Sequence, residues 1–314
     1  MNKFVASLVA ISTLGVSLAL AESITIGTGE LRGVYHPVGN AICKIMNKNT
    51  NLQCATESTR GSSYNIHLIK SGDFDFGISH GDVAYQSYKG EERFKGEQIP
   101  ELRSVMAIYP ELLALVVAKN SGIQIFEDIK GKRINTDYKY SGTSETTNII
   151  FDAFGIKRSD MSASDFKSTE CPTLLQENKL DGYFYMTGQP TANLRDAANF
   201  SEVNIIPIEG APVNKLIQKH PYYIKGVIPG TFYKGVSSDV PTFGVKAILL
   251  TNAKVKDDVV YQVTKTILDN FDEFKKLHSV LKSPLITKES LLDGLGVPQH
   301  PGAIRAFREA GLLK

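Results

Sequence analysis

Ser23-Ile-Thr-Ile-Gly27, then Thr28-Gly-Glu-Leu-Arg-Gly33, then Val38, Ala41, Ile42, Ile45 and Met46 at helical spacing read in order as strand, loop and amphipathic helix. The unit recurs at once. Leu52 to Glu57 reads as a strand, Ser58-Thr-Arg-Gly-Ser62 as a loop, and Tyr64 to Lys70 as a helix stopped by Gly72. Phe74-Asp-Phe-Gly-Ile78, Ser79-His-Gly81 and Asp82 to Tyr88 repeat the pattern. Such alternation points to an open α/β sheet with helices packed on it.

Two apolar runs follow almost end to end, Leu102 to Ile108 and Leu112 to Ala118, with Tyr109-Pro110-Glu111 between them. Alternation resumes with a strand over Gly131 to Asn135 and a helix over Ser144 to Phe154. Further helices are expected over Pro172 to Asn178 and Ala192 to Ala198, and strands over Gly182 to Met186 and Val203 to Ile208. Gly244 to Leu250 is a strongly apolar strand. The chain ends in helices expected over Asp257 to Lys276, Lys288 to Leu295 and Pro301 to Ala310. No linker separates two halves. The pattern therefore predicts two α/β lobes joined by extended strands that cross between them, with Leu112 to Ala118 and Gly244 to Leu250 as those strands. The first lobe is expected over residues 22–115 and 246–314, the second over 116–245.

At 314 residues the chain has room for about two domains. Its 35 basic and 33 acidic residues nearly cancel, so no single-sign field exists to hold nucleic acid. Met1 to Ala21 differs from the rest. Lys3 is its one charge, Phe4 to Leu20 is apolar, and Ala19-Leu20-Ala21 offers small residues at −3 and −1. This is the pattern of a secretory signal peptide, with cleavage expected after Ala21 and export to the periplasm. In an oxidising compartment Cys43, in a helix, and Cys54, in the strand after it, are candidates for a disulfide; two buried thiols are the alternative. Cys171 is left over.

Four loops after strands are rich in Gly, Ser and Thr and precede helices: Thr28 to Gly33, Ser58 to Ser62, Ser79 to Asp82 and Ser141 to Thr143. Helix N-termini present unpaired N–H groups and partial positive charge, which suit a carboxylate or phosphate. The same residues also serve as ordinary helix caps. Gly27-Thr-Gly29 fails the dinucleotide fingerprint, because position 32 is Arg32. No HExxH, nucleophile elbow or metal-ligand spacing occurs, so the sequence calls for no metal and no cofactor. Glu111 is expected at the lobe junction, where it would fix the hinge or bond a ligand ammonium.

The ordered set of motifs resembles the TAXI family of solute receptors, the extracytoplasmic binding proteins of TRAP transporters. The matching stretches include Ile26-Gly-Thr-Gly29 with Gly33-Val-Tyr35, Glu57-Ser-Thr59 with Gly61-Ser62 and Asn65, and Gly72-Asp-Phe-Asp-Phe-Gly77. Others are Asp82-Val-Ala-Tyr85, Tyr109-Pro110-Glu111, Ser141-Gly-Thr143, Gly188-Gln-Pro190 and His300-Pro-Gly-Ala303. The resemblance implies a two-lobe periplasmic-binding-protein fold with the ligand cleft between lobes, and no reaction. It implies a small carboxylate or amino-acid ligand, similar to glutamate, glutamine or 2-oxoglutarate, delivered by a monomer to TRAP permease subunits. Carried over position by position, the ligand shell is Thr28, Gly29, Tyr35, Ser58, Thr59, Ser62, His80, Asp82, Ser141, Gly142, Thr143 and Gly188. The chain departs from the family at three places. It has His80 where Gln is frequent, Arg60 where Gly is frequent, and Ser144 where Arg is common. A ligand sensor for a signalling partner, or a secreted enzyme using Cys171, are the competing readings.

Overall fold

The computed structural model describes residues 22–220 and 222–314; the export leader expected over residues 1–21 lies outside them. In chain order the strands are β1 (Ser23–Gly27), β2 (Gln53–Glu57), β3 (Phe76–His80), β4 (Leu102–Ala118), β5 (Arg133–Asn135), β6 (Ser162–Ser164), β7 (Gly182–Thr187), β8 (Val203–Ile206), β9 (Ile224–Ile228) and β10 (Val240–Asn252). The helices are α1 (Tyr35–Asn49), α2 (Ser62–Ser71), α3 (Gly81–Lys89), α4 (Gly142–Phe154), α5 (Cys171–Gln176), α6 (Ala192–Phe200), α7 (Ala211–Lys219), α8 (Asp257–Asp269), α9 (Phe271–Lys276) and α10 (Pro301–Glu309).

The strands pair in the order β2-β1-β3-β10-β4-β7-β5-β6, with β8 also on β4 and β9 on β10. β1, β2 and β3 are mutually parallel, as are β5, β6 and β7. Between these two parallel groups run β4 and β10, antiparallel to each other. β4 has 17 residues and is thus about 55 Å long. Its first half belongs with β3 and β10, its second half with β7 and β8. The mixed α/β chain is therefore a two-lobe fold threaded by two long strands.

Period-two alternation along β4 builds the core of the second lobe on both faces. Leu113, Leu115 and Val117 meet Phe126, Ile150 and Phe184, while Leu112, Ala114 and Val116 meet Leu175, Leu194 and Ile205. In the first lobe, Ile42 and Ile45 of α1 pack with Val260, Val263 and Ile267 of α8 and Phe307 of α10 on one face. Ile66 and Ile69 of α2 and Val83 of α3 cover the other, against Ile248 and Leu250 of β10. Each such buried side chain is worth about 1.5–3 kcal/mol over leaving it exposed.

Four expectations are corrected. The two runs around Tyr109-Pro110-Glu111 are one strand. Pro110 has no N–H to give the ladder, and the partner strand shifts register between Ala247 and Ile248, next to the Lys246–Pro110 pair. The helix expected over Asp257 to Lys276 divides at Asn270, whose φ of −110° and ψ of 29° are not helical. Lys288 to Leu295 holds only a short 3-10 turn, Glu289–Leu292, since Gly294 and Gly296 take positive φ. Ser79 and His80 end β3 rather than forming a loop. The helix α7 and the strands β6 and β9 had no reading in the sequence. Cys43 on α1 and Cys54 on β2 are joined as a disulfide, with Cα atoms 4.9 Å apart; Cys171 is buried and free.

Candidate functional site

In open α/β sheets the carboxyl ends of parallel strands form the ligand crevice. Here those ends come from both lobes. β1, β2 and β3 deliver Gly29, Ser62 and His80, and β5 and β7 deliver Asp137, Ser141 and Thr187, to one cavity of about 460 Å³ counted out through its mouth. Gly29, Tyr35, Ser62, His80, Ser141, Gly142 and Thr143 line it, and all seven had been read from the sequence.

Two helix N-termini face the cavity from opposite lobes. α2 begins at Ser62 behind Gly61, whose φ of 88° requires glycine. α4 begins at Gly142, capped by Ser141, whose hydroxyl accepts from Ser144 N at 3.0 Å. The Thr143 hydroxyl accepts from Met186 N at 3.1 Å, which ties α4 to β7.

At the crossing of the lobes sits Glu111, 2 % exposed, in β4 opposite Val245 of β10. The Tyr35 hydroxyl donates to its Oε2 at 2.9 Å, and His80 Nε2 lies 3.4 Å from the same oxygen. Burial pushes the Glu111 carboxyl well above the ordinary carboxylate range; the Tyr35 bond opposes this and the Asp82 charge adds to it. Burial lowers the His80 pKa, against a partial pull from Asp82. From the second lobe, Asp137 stands in left-handed backbone at φ 68° and accepts from Tyr138 N at 3.0 Å and Ser168 N at 3.2 Å. Its carboxyl is pushed up to about 7 by burial, which its hydrogen bonds only partly offset. Glu30, also in the lining, is raised by burial. Arg60 is the basic side chain of the lining, and it is exposed at the mouth.

The other five sequence-read residues lie outside this lining. Thr28 donates to Glu57 O at 2.6 Å and contacts His36 Nδ1 at 3.1 Å. Ser58 donates to Gly29 O, and Thr59 to Thr28 O and Asn65 Oδ1, so both tie the loops after β1 and β2 together. Gly188 packs against Tyr109 and Val280, where a Cβ would come within 2.8 Å of either. Asp82 heads α3 and is fully buried. Its Oδ2 accepts from Thr146 on α4 at 2.7 Å and from Tyr223 at 3.0 Å, both in the second lobe, and its Oδ1 accepts from Val83 N at 2.8 Å. It is a latch between lobes. Arg93 and Glu145 form a second such contact, 3.1 Å apart.

Asp137, Glu30, Tyr138, Ser168, Tyr185 and Thr187 line the cavity without having been read as site residues. The signal for Asp137 was present: Asn135-Thr-Asp137 leaves the end of a strand, as the other site loops do. Among the described residues no group of His, Cys, Asp and Glu is arranged to hold a metal, and no helix is long and apolar enough to cross a membrane.

Two α/β lobes, two threading strands and a crevice at the strand ends make up a fold class that solved solute-binding proteins also adopt. Within it, the chain belongs to the NMT1-like family, which matches residues 26–311. A protein of Bordetella bronchiseptica RB50 has the same fold at 16% identity and a TM-score of 0.54, over 93% of this chain and 89% of that one. A protein described with glutathione import via GshT and the cystine ABC importer TcyBC of Streptococcus mutans shows 11% identity and a TM-score of 0.54, over 86% and 100%. The periplasmic aliphatic sulphonate binding protein SsuA from Escherichia coli shows 13% identity and a TM-score of 0.50, over 92% and 83%. At such identities the likeness is one of fold.

Proposed function

We propose that the protein is the solute receptor of an import system, capturing a small carboxylate in the cleft and handing it to a TRAP-type membrane permease. The observation that carries this is the pair of helix N-termini, α2 from one lobe and α4 from the other, directed at one cavity. Unpaired N–H groups and helix dipoles stabilise a carboxylate without a basic side chain, which agrees with the near-neutral net charge. The lobes divide at 115/116 and 245/246 and close on the ligand as rigid bodies, since contacts to both lobes favour the closed form. Gly29, Tyr35, Ser62, His80, Ser141, Gly142 and Thr143 touch the ligand. Thr28, Ser58, Thr59, Asp82 and Gly188 hold the shell in place. The TRAP-type partner, the cleaved leader, the periplasmic location and the monomeric state rest on the sequence resemblance and the leader pattern. Glutamate, glutamine and 2-oxoglutarate define the range of ligands.

Purified protein melted with a panel of carboxylates and amino acids tests this reading. A binder of the folded state held at 100 times its Kd adds about 2.7 kcal/mol of stability, a readily measured rise in melting temperature. A panel that produces neither a thermal shift nor calorimetric heat overturns it.

A further inference from the structure

The cavity that would take a carboxylate at one end is lined by three carboxyl groups, Glu30, Glu111 and Asp137. Glu111 and Asp137 are each 2 % exposed. Both polar contacts of Glu111 fall on Oε2, and its Oε1 accepts no hydrogen bond among the described residues. Glu30 Oε1 is likewise buried without a partner. No Lys or Arg side chain of the lining is buried; Arg60 stays exposed at the mouth. A buried carboxylate without a counter-charge is costly, and an arriving cation removes that cost. A second ligand carboxylate would instead add negative charge beside three acids.

We propose that the solute carries a cationic nitrogen beside a single carboxylate, and that Glu111 and Asp137 hold that nitrogen while the α2 and α4 N-termini hold the carboxylate. This rests on the receptor reading and narrows it to amine-bearing monocarboxylates, with 2-oxoglutarate-like diacids excluded. The titratable groups facing Glu111 are Tyr35 from α1, His80 and Asp82 from the β3–α3 junction, Tyr109 from its own strand and Tyr185 from β7; those facing Asp137 are Glu30, Tyr138, Cys171 and Tyr185, while Lys167 acts on Glu30. None of the groups facing Glu111 or Asp137 is a permanent cation, so the ligand supplies the positive charge there. A cation beside the buried acids favours their ionised forms. Binding near pH 7 therefore releases protons, whereas a diacid would cause uptake.

Titration calorimetry of the full chain at pH 7, in buffers of different ionisation heat, tests this with three probe classes. These are neutral and basic amino acids, the same acids without the amine, and the diacids succinate and 2-oxoglutarate. The expected result is an amino acid binding at least tenfold more tightly than its deaminated counterpart and than either diacid, with protons released. Glu111→Gln lowers that affinity at least tenfold, while Tyr35 keeps an acceptor. Asp137→Asn, which suits left-handed backbone, gives the same comparison if the first variant does not fold. Equal or tighter binding of diacids or deaminated acids, or proton uptake with the amino acid, overturns the inference and leaves the receptor reading standing. If no probe of any class binds, the receptor reading falls, and this one with it.

Discussion

Replacing Gly142 by Ala should separate ligand binding from folding. Gly142 is the first residue of α4, in the second lobe, and lies against the His80 ring of the first. A Cβ there would sit 2.3 Å from Nδ1, 2.4 Å from Cε1 and 2.6 Å from Cγ. Ordinary carbon contacts lie near 3.5–4.0 Å, so the overlap is about 1 Å. His80 has little room to yield. It is 3 % exposed, its backbone N donates to Ser62 Oγ at 3.1 Å, and its Nε2 is 3.4 Å from Glu111. Overpacking of this kind costs about 1–3 kcal/mol, or roughly 5- to 150-fold in an equilibrium. The clash exists only when the lobes meet, so the cost falls on closure and spares the separate lobes. Alanine also favours the helix it would join. The expected outcome is a Kd weakened about 10- to 100-fold by the strain of closure, with the ligand-free melting temperature within a few degrees of the parent. Calorimetry and thermal melting of the same preparation read both quantities. Binding within twofold of the parent would refute the claim that closure brings α4 onto His80. A ligand-free melting temperature that falls in step with affinity would refute the claim that the lobes open.

Three further outcomes are expected. Asp82→Ala leaves the Thr146 and Tyr223 hydroxyls without their acceptor when the lobes meet, so calorimetry should show a Kd weakened by about 1–3 kcal/mol, roughly 5- to 150-fold; a change within twofold would remove the latch. Reduction of Cys43–Cys54, which lie 11 residues apart, should cost about 3 kcal/mol and lower the melting temperature, whereas a Cys43→Ser/Cys54→Ser variant should be insensitive to reductant. For Asp137 the folded carboxyl sits near 7, against 3.8 when free, so the native state binds more protons between those values. Its contribution is present below about pH 4 and is lost as pH rises towards 7. Asp137→Asn should therefore show a shallower fall in melting temperature over that range than the parent, and an equal slope in the two proteins would count against the buried acid.

The strand–loop–helix units near the start of the chain were legible because their loops follow the strands that carry them. Gly29, Ser62, His80 and Gly142 each sit at the end of a strand or the start of a helix, where Gly, Ser and apolar periodicity mark the spot. The threading strand was not legible as one element. Pro110 in mid-run ordinarily argues for a break, and only the shifted register of β10 beside it accommodates the ring. Asp82 was legible as an acid at a helix start, which the resemblance put in the ligand shell, but not as a latch, because Thr146 and Tyr223 lie 64 and 141 residues further on. Tyr185 escaped for the same reason, and Asp137, though it leaves a strand end, could not be matched to its partners across the cleft. Their role depends on the second lobe being folded back over the first, and no local spacing encodes that.

β10 has a consequence for the order in which the molecule can be made. His80, near the start of the chain, pairs with Ala247, and Leu102 pairs with Asn252. Until some 250 residues have been synthesised, β3 has an open edge and α1 lacks the cover of α8 and α10. A nascent chain therefore holds its first lobe unfinished through most of translation, a state suited to passage through a narrow channel and exposed to strand-edge aggregation if passage stalls. Chains cut short before Asn252 should be insoluble, even though every residue proposed to touch the ligand has already been made.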